Sequence, residues 1–132
     1  MRTFEITPLK QAGCISFGMP RTQVRELLGK FKEFKKNKFS KTTTDAFSDC
    51  HVYYDEDDLC DAVEFFAEAT VQIGPVNVFG TPYDVLRTVI RSADADMQED
   101  ESGFTSKKLG FCAYAPDGKL ESVLACSDKY LH

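Results

Sequence analysis

The feature that most constrains the fold of this chain is an internal similarity between its two halves. At an offset of 62 residues, Phe17–Pro20 (FGMP) aligns with Phe79–Pro82 (FGTP), and Cys50 aligns with Cys112. Self-similarity at a fixed offset is typical of a duplicated structural unit. Chance similarity between two amphipathic helices that both start with proline is the alternative explanation.

Each copy is expected to begin with a helix and to continue as antiparallel strands. Pro20 and Pro82 suit the first helical position, and apolar residues follow both at helical spacing. β-branched and aromatic stretches predict strands at Phe47–Tyr54, Cys60–Ala67, Thr70–Ile73, Leu109–Ala115 and Leu120–Cys126, with hairpin-like stretches at Phe31–Thr44 and Met97–Ser106. The expected core is Val24, Leu27, Leu28, Val52, Val63, Phe65, Leu86, Val89, Ile90, Tyr114 and Leu124.

These elements predict an α+β fold class, with two tandem helix-plus-antiparallel-strand repeats forming a two-layer domain. We expect one domain over residues 1–132, since a chain of this length has room for one. The repeats are expected to cover about residues 13–68 and 75–130.

Charge and cysteine content indicate which kinds of partner and which cellular compartment to expect. The formal net charge is −5 and the isoelectric point is about 5.0, which opposes binding to nucleic acid or to an anionic membrane. The first ten residues contain no apolar run of the kind that a secretory signal needs. The five cysteines are odd in number and lack CxxC spacing, so we expect a cytoplasmic protein with reduced thiols.

Residues that carry chemistry are sparse. The two histidines are His51 and His132, the last residue, and strand alternation points His51 away from the adjacent Cys50. Phosphate-binding glycine motifs and the HExxH zinc motif are absent from the sequence. Counting from Asp55, the acidic run also lacks the glycine of a calcium-binding EF-hand loop. We therefore expect no catalytic residue, no cofactor and no metal site.

Two stretches in corresponding parts of the halves carry opposite charge. Residues 30–41 contain six lysines and one glutamate, interleaved with three phenylalanines, whereas residues 94–101 contain five acids and no base. Aromatic residues among lysines can form a platform for nucleic acid. Lysines that protect an edge strand from aggregation are the explanation that the acidic chain favours.

The residues Ile15–Gly29, Asp45–Phe47, His51–Asp55 and Cys60–Phe65 resemble a family of small bacterial proteins encoded beside polymorphic or contact-dependent growth-inhibition toxins. The resemblance extends from about residue 13 to 130. The tandem helix-plus-strand arrangement also resembles the β-lactamase-inhibitor-protein type of fold. The resemblance to the family implies a non-enzymatic immunity protein whose partner is a cognate toxin. A basic nuclease domain would suit the acidic charge.

Strand alternation suggests where such a partner would bind. The face opposite the predicted core would carry His51, Tyr53, Glu64 and Phe66, bordered by the acidic residues Asp55, Glu56, Asp57, Asp58 and Asp61. Aromatic anchors with a charged rim are typical of protein interfaces. The same face could instead pack against the second unit or a homodimer partner, and both monomer and homodimer remain open. The alternative function is a small enzyme, or an accessory protein for a ligand or peptide, that uses the His51 strand and the acidic hairpin.

Overall fold

Strands dominate the folded chain. The computed structural model describes residues 2–35 and 37–131. The residues outside this description are Met1, Lys36 and His132, which the predictions above include. The helices are α1 (Arg21–Leu28) and α2 (Tyr83–Ala93), with short 3₁₀ helices at Pro116–Gly118 and Asp128–Leu131. The strands are β1 (Thr3–Thr7), β2 (Gln11–Ala12), β3 (Ile15–Ser16), β4 (Lys32–Phe34), β5 (Thr44–Ala46), β6 (Cys50–Tyr54), β7 (Cys60–Phe66), β8 (Thr70–Ile73), β9 (Val76–Asn77), β10 (Gln98–Asp100), β11 (Gly103–Ser106), β12 (Phe111–Tyr114) and β13 (Ser122–Cys126).

The strands form two sheets. The larger sheet has eight antiparallel strands in the order β10-β11-β12-β13-β7-β6-β5-β4. Its centre is the β7–β13 pair, in which Val63 lies opposite Ala125. The smaller sheet has the order β3-β2-β1-β8-β9, with β1 and β8 parallel. Strand β4, from the lysine-rich stretch 30–41, and strand β10, from the acidic stretch 94–101, are therefore the two edges of the larger sheet.

The hydrophobic core covers one face of the eight-stranded sheet, which we call the inner face. Val63, Phe65 and Val123 are fully buried on this face. The ring of Phe4 on β1 lies 4.8 Å from that of Phe65. Tyr83 of α2 stacks on Phe104 of β11 at 6.1 Å. The smaller sheet and the helices thus pack on the inner face, and the opposite face is called the outer face below.

The expected α+β class of two helix-plus-strand repeats is wrong. The described residues form thirteen strands in two sheets and only two short α-helices, so the chain is mostly β. The short strands of the smaller sheet were missed because two-residue strands gain their hydrogen bonds only through tertiary pairing. The 62-residue offset also fails in detail. Cys50 is buried on the inner face, whereas Cys112 is half-buried on the outer face.

The expected core is confirmed in part. Most of its members are buried, but Leu27 and Tyr114 are about half exposed, and Val89 and Leu124 are half-buried. Tyr114 and Leu124 lie on the outer face because they alternate with the buried residues of β12 and β13. Pro20 and Pro82 are N-cap residues, one position before the helices begin.

A buried ionic cluster attaches α1 to the eight-stranded sheet. The fully buried carboxylate of Asp45 on β5 accepts hydrogen bonds from Arg21 Nη1 at 3.2 Å, from Arg25 Nε and Nη2 at 2.8 Å each, and from Tyr54 Oη at 2.9 Å. The guanidinium of Arg21 also lies over the Tyr54 ring at 3.9 Å. The hydrogen bond to Asp45 raises the pKa of Arg25. This cluster fixes the helix relative to the sheet and does not reach the outer face.

All five cysteines are free thiols in the structure, as the sequence predicts. Cys50, Cys60 and Cys126 are buried, Cys112 is half-buried, and Cys14 is exposed. Burial raises the pKa of Cys60 and of Cys126 to about 12. Neither of the helices within the described residues has the length and apolar character needed to cross a membrane.

Candidate binding surface

The outer face of the eight-stranded sheet differs sharply from the inner face in burial. Along β6, His51 and Tyr53 are half-buried and alternate with buried residues. Along β7, Glu64 and Phe66 are likewise half-buried next to the fully buried Phe65. These four residues therefore lie together on the outer face, as strand alternation predicts, and the sheet separates them from the hydrophobic core.

Three rings on the outer face form an edge-on stack, which we call the aromatic triad. The ring centroid of His51 lies 5.4 Å from that of Phe34 and 4.8 Å from that of Phe66, at interplanar angles of 68°. Phe34 lies on β4, two strands away from His51. It pairs with Thr44 on the intervening strand, whereas His51 pairs with Ala46, so the contact between the two rings runs diagonally across β5. Phe34 was missed because its contact depends on strand pairing across β5.

A hydrogen-bonded group lies beside the triad at the centre of the sheet. Tyr53 Oη donates a short hydrogen bond to Glu64 Oε1, and Ser122 Oγ donates to Glu64 Oε2 at 3.1 Å. Burial, together with the hydrogen bond to Glu64, raises the pKa of Tyr53. Glu64 is thus a fixed acceptor that joins three neighbouring strands.

The aromatic surface continues towards β10. Tyr114 lies opposite Ser122 on one side and Gly103 on the other, and half of its surface is exposed. Gly103, which has no side chain, lies beneath a hollow of about 220 Å³ lined by residues of β10 to β12, including Asp100 and Tyr114. We call the line formed by Phe34, His51, Phe66 and Tyr114 the outer-face band.

The acidic turn between β6 and β7 is held by ion pairs. Asp55 pairs with Lys129 at 2.5 Å, and Asp58 pairs with Arg21 at 3.1 Å. Glu56 lies 3.6 Å from Lys41 between two exposed side chains, while Asp57 is exposed. Asp55, at the start of this turn, lies four positions after His51, which is about 13 Å along a strand. The expected acidic rim is therefore partly neutralised and set apart from the triad.

The C-terminal 3₁₀ helix covers the end of the outer face nearest this turn. Ser127 Oγ donates to Asp61 Oδ1 at 2.5 Å, and the backbone N–H of Ser127 donates to the carbonyl of Asp61 at 2.9 Å. Tyr130 lies close enough to Tyr53 for its charge state to affect the pKa of Tyr53. Asp61 and Tyr53 are thus partly enclosed. His51, Phe66 and Tyr114 lie further along the sheet.

The nine sequence-predicted binding residues consequently fall into two groups. His51, Tyr53, Glu64 and Phe66 are brought together on the sheet, whereas the acids surround the turn and the C-terminal segment. Sequence reasoning missed Phe34, Tyr114 and Ser122. Tyr114 could have been found, because the small apolar Ala113 and Ala115 flank it and alternate with it in the sequence.

The described residues contain no group of three or more His, Cys, Asp or Glu side chains placed to hold a metal ion. The ring contacts of His51 are with Phe34 and Phe66. Comparisons of the chain with protein-family models, with curated proteins and with solved structures gave no match.

Proposed function

We propose that this chain is a non-enzymatic immunity protein that binds and neutralises a cognate bacterial toxin in the cytoplasm through the outer-face band. The observation that carries the proposal is a row of partly exposed aromatic rings on a sheet face that neither α-helix nor the smaller sheet covers. The resemblance of Ile15–Gly29 to immunity proteins supplies the kind of partner.

The band has the properties of a protein-binding surface. Aromatic side chains dominate interface energetics because each can bury a large apolar area. The triad rings hold one another edge-on, and Tyr53 and Ser122 hold Glu64. These side chains lose little conformational freedom when a partner arrives, which lowers the entropic cost of association.

The overall charge favours a basic toxin, such as a nuclease domain. A net charge of −5 attracts a cationic partner over distances of about 10 Å and raises the association rate at low salt. Because Asp55 and Asp58 are already paired with cations, the acidic turn contributes to this steering less than its sequence suggests. The alternative of an enzyme using His51 gains no specific support, because its ring packs between two phenylalanines.

The proposal predicts that the gene immediately upstream encodes a large toxin, and the experiment is co-expression with the C-terminal domain of the protein encoded there. We expect growth to be restored by the wild-type chain, and binding to be measurable by isothermal titration calorimetry. Phe66→Ala and His51→Ala should each weaken binding by about 2 kcal/mol, which is about 30-fold in Kd. Leu27→Ala and Val85→Ala, on the half-exposed surfaces of the helices, are the matched controls. Absence of rescue, or folded band variants that bind like wild type, would overturn the proposal.

A further inference from the structure

We propose that the outer-face band binds its partner in one fixed direction, with a cationic side chain of the partner over Gly103 and carboxylates of the partner against β4. This inference rests on the proposed function and names the chemistry of the partner element. The occupant is a protein segment that crosses the strands, is apolar in its middle and carries opposite charges at its two ends.

The β10 end of the band suits an arginine or lysine side chain. Position 103 pairs with Tyr114 across the strands, and a Cβ there would lie 1.9 Å from the carbonyl oxygen of Ala113. Only glycine fits at this position, and a hollow of about 220 Å³ lies beside it and the half-exposed Tyr114. A cation in this hollow could contact both the ring face and the Asp100 carboxylate.

Asp100 is oriented for this contact. Its Oδ1 accepts hydrogen bonds from the backbone N–H and from the hydroxyl of Ser102, each at 2.8 Å. These bonds lower the pKa of Asp100, so the group is ionised at neutral pH. The backbone N–H of Gly103 also interacts with this carboxylate, so its orientation is fixed within the chain. By strand alternation the side chain lies on the same face as Gln98, away from Glu99, which pairs with Arg91 on the inner side.

The β4 end of the band has the opposite charge. Lys32 is exposed and lies on the same face as Phe34, two residues along β4. Lys30, Lys35 and Lys38, in the chain before and after β4, are also exposed. The acid of this strand, Glu33, faces inward, where it accepts hydrogen bonds from Arg25 and Thr43. The outer surface beside Phe34 is therefore cationic.

The spacing of these charges defines the occupant. Eight strands give seven intervals of about 4.8 Å, so the two edges lie about 34 Å apart. A helix of about 20 residues spans about 30 Å. Reversing such an element would place like charges together at both ends. A nucleic acid, which is anionic throughout, would be attracted at β4 and repelled at Asp100, so the two-signed surface favours a protein.

The hollow is tested first with a small probe. The ¹⁵N-labelled chain is titrated with N-acetyl-arginine N-methylamide, with the neutral citrulline analogue as the control. We expect millimolar binding that shifts the amide signals of Gly103 and Tyr114 and is lost in Asp100→Asn. Equal shifts with arginine and citrulline, or no shifts at Gly103, would overturn the cation site whether or not a toxin binds elsewhere on the band.

The direction is tested with the upstream-encoded toxin domain and four charge reversals. Asp100→Lys and Lys32→Glu lie at the ends of the band. Glu26→Lys on α1 and Lys10→Glu in the turn after β1 change the net charge equally elsewhere on the surface. We expect each band variant to raise Kd at least 10-fold and each control to change it less than 2-fold. Equal effects of the band and control variants on Kd would overturn the fixed direction. The proposed function is tested separately by Phe66→Ala, and it fails if that variant binds the toxin like wild type.

Discussion

Replacing Asp45 with asparagine should destabilise the fold strongly without altering the outer face. The Asp45 side chain has 0% exposure and accepts four hydrogen bonds, three of them from guanidinium groups. Asparagine keeps the volume, so the change opens no cavity. It removes the charge and turns an amide donor towards the buried Arg21 and the half-buried Arg25. Breaking a buried ion pair by removing one partner costs about 3–5 kcal/mol.

A loss of this size is a large fraction of the free energy of unfolding. A domain is stable by about 5–15 kcal/mol, and at this chain length we expect Tm to fall by about 10–20 °C. Urea unfolding followed by far-ultraviolet circular dichroism should show a lower midpoint with an unchanged m-value. Asp58→Asn is the matched control, because Asp58 pairs with the same Arg21 but its side chain is 65% exposed. It should cost less than about 1 kcal/mol. Equal losses in the two variants, or a loss below about 1 kcal/mol for Asp45→Asn, would refute the assignment of the cluster as the attachment of α1.

Three further outcomes are expected. In the native protein at pH 8, Cys14 should react quickly with one equivalent of Ellman's reagent, and the other four thiols should react only on unfolding. Those four thiols are at least partly buried and have raised pKa values. Two or more fast equivalents, or a fast equivalent that persists in Cys14→Ser, would contradict this. Gly103→Ala should lower Tm by more than 10 °C, because its Cβ would overlap the Ala113 carbonyl, whereas Gly118→Ala, which has open space, should lower Tm far less. Burial raises the pKa values of Tyr53 and Tyr54 in the folded chain. Their contribution to stability should therefore be complete below about pH 10 and fall above it, because unfolded tyrosines release protons that folded ones keep. Urea unfolding midpoints at pH 9 and pH 11 measure this fall, and equal midpoints would contradict it.

Local patterns predicted several elements well. The proline-initiated apolar stretches became α1 and α2, and the strand Thr70–Ile73 has the predicted bounds. Strand alternation also separated His51 from Cys50, because the period of two is a backbone property. These features depend on neighbouring residues along the chain, which is why the sequence alone was sufficient.

Long-range pairing was not predictable in the same way. The smaller sheet brings β1 beside β8, and the triad joins Phe34 to His51 across an intervening strand. The ion pairs of the acidic turn were missed for the same reason. Its partner Lys129 lies 74 residues from Asp55, so the neutralisation of that turn has no signature in the local sequence.

Hydroxyl-radical footprinting of the chain, free and bound to the upstream-encoded toxin domain, tests the binding surface most directly because it reports the accessibility of individual side chains. We expect Phe34, Phe66 and Tyr114 to become protected in the complex, while Leu27 and Val85 on the helices react as they do in the free chain. Protection of Leu27 and Val85 with an unchanged band would place the toxin on the opposite side of the molecule and contradict binding through the outer-face band.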